Sequence, residues 1–365
     1  MLRRSFDEMN PIMLQIDGSR GEGGGQMVRT ALALSALTGR PFGMTRIRAN
    51  RPKGGLKAQH LMAIEALQAI CSATVTEVRL GAEAMAFEPG KVQPGNYSFD
   101  IGTAGSISLL LQALLPPLLF ASGPSTLHLK GGTCGKWQPP VVYTQQVLLP
   151  YLARFADIEL AIGRQVYFPK GGGEVTARIQ PKLPSRIGLA TLPPYLLTEG
   201  GRPVRMGGLA FAADTLAGRQ VAERMASSAQ IALREWNCPV DIETAYGPAY
   251  DPGAGIVLWA ETGISADGSP LRLGADALGE RGKPAETVGR EAARQLRNTL
   301  RANTPVDEHL ADQLAPFLGL LPGSRIRVGR PSGHLLSNMA MTELFLPVRF
   351  ARNGQIFEVE PTEEL

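Results

Sequence analysis

The order strand, helix, strand, helix, strand, strand recurs along this chain, and that recurrence limits the fold more than any single motif does. Residues 13–88 carry apolar periodicity that predicts a strand, a helix over 26–37 stopped by Gly39 and Pro41, a strand at 44–49, a helix over 57–71, and strands at 74–80 and 84–88. The same order returns at 97–101, 106–119, 125–130, 141–155, 158–166 and 174–179. A third copy is expected from 186–189, then 309–318, 325–328, 335–346, 348–352 and 355–360. More than a hundred residues separate its first strand from its first helix. Residues 190–304 therefore read as an insertion, with strands at 204–211, 240–245, 255–261 and 271–275 and helices at 218–235 and 285–302. The expectation is an α/β (α+β) protein, with a three-repeat body over 1–189 and 305–365 and a smaller inserted α/β domain over 190–304.

Composition narrows the class further. Forty-four per cent of the residues are hydrophobic, and 42 glycines with 28 prolines point to many turns rather than disorder, because apolar segments recur throughout. Three cysteines, Cys71, Cys134 and Cys238, are odd in number and far apart, which argues against a disulfide framework or a zinc cluster and suits a reducing cytoplasm. The basic start at 1–4 runs into Asp7 and Glu8 rather than an apolar stretch, so no signal peptide is expected. The apolar run 109–121 is too short for a membrane span and is broken by Pro116 and Pro117. A formal charge of +4 permits contact with nucleic acid without requiring it.

Two segments at opposite ends of the chain carry the chemistry. In Pro331-Ser332-Gly333-His334-Leu335-Leu336-Ser337-Asn338, a histidine sits where a strand with Arg325, Arg327 and Arg330 turns into a helix. Helix N-termini and guanidinium groups both favour an anion there, and 313–342 holds no acid. Taken alone, the segment reads more plainly as a capping or surface histidine. The second segment, Asp17-Gly18-Ser19-Arg20-Gly21-Glu22-Gly23-Gly24-Gly25-Gln26-Met27-Val28-Arg29, exposes backbone N–H groups at a helix entrance, as phosphate-cradling loops do. It is neither a Walker loop nor a dinucleotide fingerprint. A flexible turn would need neither an acid inside the glycine run nor an arginine one turn later, so Glu22 is a candidate ligand for a divalent metal and Arg29 for a phosphate. Downstream, 40–64 carries Arg40, Arg46, Arg48, Arg51, Lys53 and Lys57 with no acid, a local charge that attracts polyphosphate or nucleic acid.

The other histidines have quieter readings. His128 shares a strand face with Thr126 and Lys130 and is expected in solvent. His60 follows Gln59 on a helix and supports rather than performs chemistry. His309 follows Asp307, a suitable N-cap, and is as well suited to structure as to nucleotide contact. In 310–314 the apolar positions are expected to face the core, and Asp312 and Gln313 a cleft.

These residues carry a resemblance. The 17–26 opening, Ile47-Arg48-Ala49, Gln59-His60-Leu61, Gly102-Thr103-Ala104-Gly105-Ser106, Gly131-Gly132-Thr133, the 167–173 glycine-rich segment, Leu310-Ala311-Asp312-Gln313-Leu314 and the His334 segment occur in the order found in RNA 3′-terminal phosphate cyclases, and the chain resembles that family nearly end to end. The resemblance implies three repeats like the C-terminal domain of bacterial translation initiation factor three, plus an inserted α/β domain. It implies His334 as a nucleophile adenylated by ATP. Arg29, Arg48, Gln59, Gln112, His309, Asp312 and Gln313 would hold the nucleotide, and Glu22 would hold Mg2+ or Mn2+. The implied partners are ATP and RNA ending in a 3′-phosphate, with no membrane; an oligomer is compatible with the sequence.

The chain departs from the family pattern at Cys134-Gly135-Lys136-Trp137-Gln138, where polar residues are common, at Val142, and at Arg164-Gln165-Val166. Trp137 suits either stacking on a base or packing between repeats. Two rival classes stand beside the cyclase. One is a non-catalytic RNA-binding or ribosome-assembly protein of the same fold, against which His334 and Glu22 argue. The other is an enolpyruvyl transferase, whose sheets are also built from βαβαββ units, although fold alone does not specify function.

Overall fold

The computed structural model describes residues 13–363 except 22, 23, 77, 137, 168, 184 and 185. The candidate metal ligand Glu22 and the candidate stacking residue Trp137 lie outside the described residues.

The first repeat runs through β1 (Leu14–Asp17), α1 (Gly25–Thr38), β2 (Phe42–Thr45), α2 (Ala58–Cys71), β3 (Thr74–Thr76) and β4 (Met85–Glu88), with strands ordered β1-β2-β4-β3. Gly39 ends α1 in the left-handed conformation at φ 78°, a geometry that costs little without a Cβ. β2 stops at Thr45, short of the expected 49, because Arg46 and Arg48 take φ of 51° and 57° and turn the chain out of the extended region.

The second repeat comprises β5 (Asn96–Asp100), α3 (Ile107–Leu118), β6 (Ser125–Gly131), a helical stretch of α4 (Val141–Tyr143) and α5 (Leu149–Leu152) joined by a π-turn, β7 (Ala156–Arg164) and β8 (Gly173–Pro181). Its strand order, β5-β6-β8-β7, repeats that of the first sheet.

The third repeat opens later than expected. Residues 186–189 lie in a 3-10 helix, Arg186–Thr191, and the first strand is β9 (Leu196–Leu197), paired in parallel with the strand that follows the insertion. Two residues after Pro193 and Pro194 are too few to show alternation, so their pairing is visible only in three dimensions. The insertion then supplies β10 (Arg205–Ala213), α6 (Val221–Leu233), β11 (Val240–Gly247), β12 (Ala254–Ile264), β13 (Pro270–Leu278) and α7 (Ala285–Arg301). The repeat resumes with α8 (Glu308–Gly319), β14 (Arg325–Arg327), α9 (Gly333–Phe345), β15 (Val348–Asn353) and β16 (Ile356–Pro361), ordered β15-β16-β14-β9. In all three repeats the second strand lies between the first and the fourth.

The inserted sheet has a different order, β11-β10-β12-β13. Its helices cover one face with a core of their own, which includes Met206, Met225, Leu258 and Leu296. From the other face Phe211, Val257 and Leu271 join the core of the three repeats. Tyr151 Oη donates to the Arg272 carbonyl at 2.8 Å and accepts from its N–H at 2.9 Å, tying α5 to β13.

The helices of the repeats meet each other. α1 packs on α2, α3 and α9, α3 also meets α8, and α8 lies against α9. One continuous apolar cluster runs beneath them all. This shared layer brings helix starts from distant parts of the chain to the same region. No helix among the described residues is long and apolar enough to cross a membrane.

Candidate active site

Glycines allow the first site segment to lie close to its neighbours. Gly21 has φ 58°, and a Cβ there would come within 2.7 Å of Ser337 Oγ, so the glycine loop runs against the first turns of α9. Gly25, the first residue of α1, abuts the imidazole of His60, and a Cβ would collide with Nε2. Neither α1 nor α9 carries an acid in its first turn. Ser332 caps α9 by accepting from the Leu335 N–H at 2.9 Å, which leaves His334 exposed in the helix's opening turn. Both helices thus present backbone donors and positive dipole ends without a neutralising carboxylate from their own first turns.

A buried polar network connects the two segments. Arg29, 6% exposed, donates from Nη2 to Gln26 Oε1 at 2.5 Å, while its Nε has no partner and no described carboxylate pairs with it. Burial lowers its pKa to about 10. Gln26 donates onward to Asn338 Oδ1 at 3.1 Å, which also accepts from Thr30 Oγ1 at 2.7 Å. Asn338 Nδ2 donates to the Asp312 carbonyl at 2.7 Å, and the Asp312 carboxylate accepts from Ser332 Oγ at 2.5 Å. The chain of contacts therefore runs from the buried guanidinium on α1 through α9 and α8 to the cap two residues before His334.

Buried atoms without partners gather along this path. Arg29, Gln112, Asp312, Gln313 and Asn338 line one narrow cavity between α1, α3 and α8. Gln112 Oε1 and Gln313 Oε1 are buried without partners, although Gln313 Nε2 holds the His309 carbonyl at 2.9 Å. An unsatisfied buried polar atom costs about 1–3 kcal/mol. A cationic guanidinium and two amide oxygens left in this condition suit a polar ligand better than an apolar core.

Asp312 is 8% exposed, and burial raises its carboxyl to about 7 against the opposing Ser332 hydrogen bond. His309, on the first turn of α8, is exposed and meets the Tyr143 ring edge-on at 6.0 Å between centroids. Asp307 caps that helix, accepting from the Leu310 N–H at 3.0 Å, from Tyr143 Oη at 2.6 Å and from the Gly274 N–H at 2.7 Å. Asp276, contributed by β13, is raised to about 6 by burial, with the His309 charge working the other way.

His60 is fully buried. Its Nδ1 accepts from the Lys57 N–H at 3.0 Å, and burial followed by the charges of Arg29, Arg48 and Lys57 depresses its pKa to about 3. A neutral ring with a proton on Nε2 follows, supporting the start of α1. Arg48 donates from Nη1 to the carbonyls of Lys53 at 2.6 Å and Gly55 at 3.2 Å, and burial lowers its pKa, with Arg51 adding to the effect. Gln59, in the first turn of α2, faces the turn at Gly105. His128 is exposed beside Thr176 Oγ1 at 3.3 Å. Cys134 is buried and its thiol is pushed up to about 12, the behaviour of a packed small side chain rather than a nucleophile. Among the described residues no group of three or more His, Cys, Asp or Glu could hold a metal ion.

The sequence reading overlooked the connecting roles of Gln26, Ser332 and Asn338, although all three stand inside the quoted motifs. It also overlooked Tyr143, Asp276 and the second and third bonds of Asp307. Helical spacing signals which residues share a face, but no local pattern in 270–278 points toward α8.

The family profile described as RNA 3′-terminal phosphate cyclase matches residues 20–352. Proteins named RNA 3′-terminal phosphate cyclase are similar over nearly their whole length. That of Methanopyrus kandleri is 44% identical over 357 residues, covering 96% of this chain and 97% of its own. That of Thermococcus gammatolerans is 44% identical over 349 residues, covering 94% and 96%. Thermococcus kodakarensis has one that is 42% identical over 349 residues, covering 95% and 94%. Among solved structures, an EPSP synthase from Acinetobacter baumannii overlays 62% of this chain and 55% of its own with a TM-score of 0.23 and 10% identity, too slight a likeness to bear on fold or reaction. With a profile spanning most of its length and relatives this similar end to end, the chain belongs to the RNA 3′-terminal phosphate cyclase family.

Proposed function

We propose that this chain uses ATP to convert an RNA 3′-terminal phosphate into a 2′,3′-cyclic phosphate, through AMP held covalently on His334. Family membership supports the overall reaction. The observation that carries the site is the buried network from Arg29 through Gln26, Asn338 and Asp312 to Ser332, because it links an anion-seeking guanidinium to the helix start that carries His334.

In the first step a ring nitrogen of His334 attacks the α-phosphorus of ATP. A P–N bond forms, the bond from the α-phosphorus to the bridging oxygen breaks, and pyrophosphate leaves with the electron pair. Arg29 and Arg48 bind polyphosphate oxygens, Gln59 and Gln112 position the polyphosphate, and Gln313, whose Nε2 is held by the His309 carbonyl, offers its Oε1 as an acceptor to a donor group of the nucleotide. Asp312 orients the start of α9 through Ser332, and His309 contacts the nucleotide from the first turn of α8. The assignment of a divalent cation to Glu22 belongs to the same proposal, the cation offsetting phosphate charge.

An oxygen of the RNA 3′-phosphate then attacks the phosphorus of the His334 adduct. The P–N bond breaks, its electrons return to the imidazole, and a mixed anhydride of RNA phosphate and AMP results. Finally the adjacent ribose 2′-oxygen attacks the activated RNA phosphorus, its proton is lost, and AMP departs. This closure is intramolecular, so proximity supplies much of its rate.

Incubation with α-labelled ATP and magnesium tests the reading. Acid-labile, alkali-stable label on the protein, discharged by RNA bearing a 3′-phosphate with formation of a cyclic end, is the expected result. A protein that never takes label contradicts it.

A further inference from the structure

A second recess opens beside the same helix starts. It has a volume of about 270 Å3, just below the range of roughly 300–1,000 Å3 typical of small-molecule pockets. Asn298 and Thr299 line it from the last turns of α7, Glu308 and Asp312 from α8, and Arg330 and Ser332 from the approach to α9. It is thus shared between the insertion and the third repeat, and it reaches the cap that precedes His334. Asp312 belongs to both recesses, so the cavity beside Arg29 and this groove lie on either side of one buried side chain.

The junction that forms the groove is held firmly. Arg327 donates to the Thr198 carbonyl at 2.5 Å and to the Asn303 carbonyl at 2.6 Å, clasping the segments that enter and leave the insertion. Asn303 turns out of α7 in the left-handed conformation at φ 53°, and a Cβ at neighbouring Gly200 would strike its backbone. The end of α7 is therefore fixed against the third repeat.

The chemistry of the groove and of the helix above it matches one kind of occupant. Arg330 is exposed at one side, while Asn298 and Thr299 offer neutral hydrogen-bonding groups. Glu308 and Asp312 can accept from hydroxyl and amino groups. A strand of alternating phosphates, sugar hydroxyls and base edges presents complements to all of them. Up α7 from Asn298 lie Arg294 and then Arg290, each exposed and one helical turn from the last, with Arg301 one turn the other way. Four residues of helix rise about 6 Å, which is close to the spacing of successive phosphates in a polynucleotide. Arg301 is held by Glu235 at 3.0 Å, whereas Arg294 has no ion-pair partner among the described residues.

Resting on the cyclase reading, we infer that this groove seats the RNA segment leading to the reactive 3′ end, with Arg294 and Arg290 holding successive backbone phosphates along α7, Arg330 meeting a phosphate at the edge of the groove, and Asn298 and Glu308 contacting sugar or base. The insertion then acts as the substrate arm of the enzyme. ATP chemistry on His334 needs none of these contacts.

The test uses the full-length protein with Arg294→Glu and, separately, Asn298→Trp, which fills the groove from an exposed helix position. Two quantities are read: His334 labelling by α-labelled ATP, and the affinity of a fluorescent RNA oligonucleotide ending in a 3′-phosphate, measured by anisotropy across a salt series. Label should form at the wild-type rate in both variants, which also shows that they fold. RNA affinity should fall about tenfold or more, as expected for loss of a charge-assisted contact. For Arg294→Glu the salt slope should shrink by about 0.7, the value for one phosphate of a single strand. Wild-type RNA affinity and salt slope in both variants would overturn the assignment. Failure of the cyclase reading is distinguishable, because wild-type protein would then take no label at all.

Discussion

Asn338 Nδ2 donates to the backbone carbonyl of Asp312 at 2.7 Å, joining the helix of the candidate nucleophile to the helix that lines the nucleotide cavity. The same side chain accepts from Thr30 and Gln26 and so also holds α1. Asn338→Ala leaves several buried groups without partners, each costing about 1–3 kcal/mol. It should lower the melting temperature and slow adenylation by releasing Gln26 and, through it, Arg29. Thermal unfolding and single-turnover labelling measure the two effects. A variant with wild-type stability would show that the network does not hold these helices together.

Arg29→Ala and Arg48→Ala should each reduce the rate of adenylation roughly tenfold or more, since a hydrogen bond to a charged group is worth about 1.5–3 kcal/mol. Glu22→Ala should lose its response to added magnesium or manganese. Titration of ATP and metal against the labelling rate separates the three, and wild-type rates throughout would dismantle the proposed phosphate site.

Asp312 gives the unliganded protein a pH signature. Its folded carboxyl lies at about 7, above the ordinary 3.8, because burial disfavours the charge. The stabilisation is therefore complete below about pH 4 and is lost as pH rises to about 7, amounting to roughly 4 kcal/mol from this group. Asp276, raised to about 6, adds to the same trend. Asp312→Asn should flatten the fall in unfolding free energy between pH 4 and 7 and make the protein relatively more stable at pH 8. Denaturant unfolding across that range should show a steeper dependence in the wild type; parallel curves would place the ionised carboxylate in a more favourable setting.

We propose that 190–304 behaves as an inserted unit, since α6 and α7 close a core of their own over one face of its sheet. Leu296→Ala in that core should cost about 2–5 kcal/mol locally. Hydrogen exchange should then lose protection across α6, α7 and β11 while amides of α1 and α3 keep theirs. Equal loss in both regions would mean that the two cores unfold together.

Much of the fold was legible because helices and strands announce their own ends. Gly39 and Pro41 mark the close of α1, and Asp307 marks the start of α8. The third repeat's opening strand was misplaced since two residues carry no periodicity, and β2 was extended too far because nothing local reveals that Arg46 and Arg48 adopt left-handed backbone. The motifs delivered Arg29, Asp312 and Gln313, which the structure brings into one cavity with Gln112. They could not show that Asn338 bridges α8 to α1, or that Asp276 approaches His309, because those relationships exist only after distant helices and the inserted sheet have packed.

The central claim is that His334 carries AMP. Wild-type, His334→Ala and His309→Ala proteins, all verified as folded by circular dichroism, should be incubated with α-labelled ATP and magnesium and then assayed for bound label and for cyclic ends on 3′-phosphorylated RNA. The account predicts label and cyclisation in the wild type, neither in His334→Ala, and slower labelling at higher ATP demand in His309→Ala. Labelled His334→Ala protein would contradict it, and loss of all label from His309→Ala with retention in His334→Ala would move the nucleophile to His309.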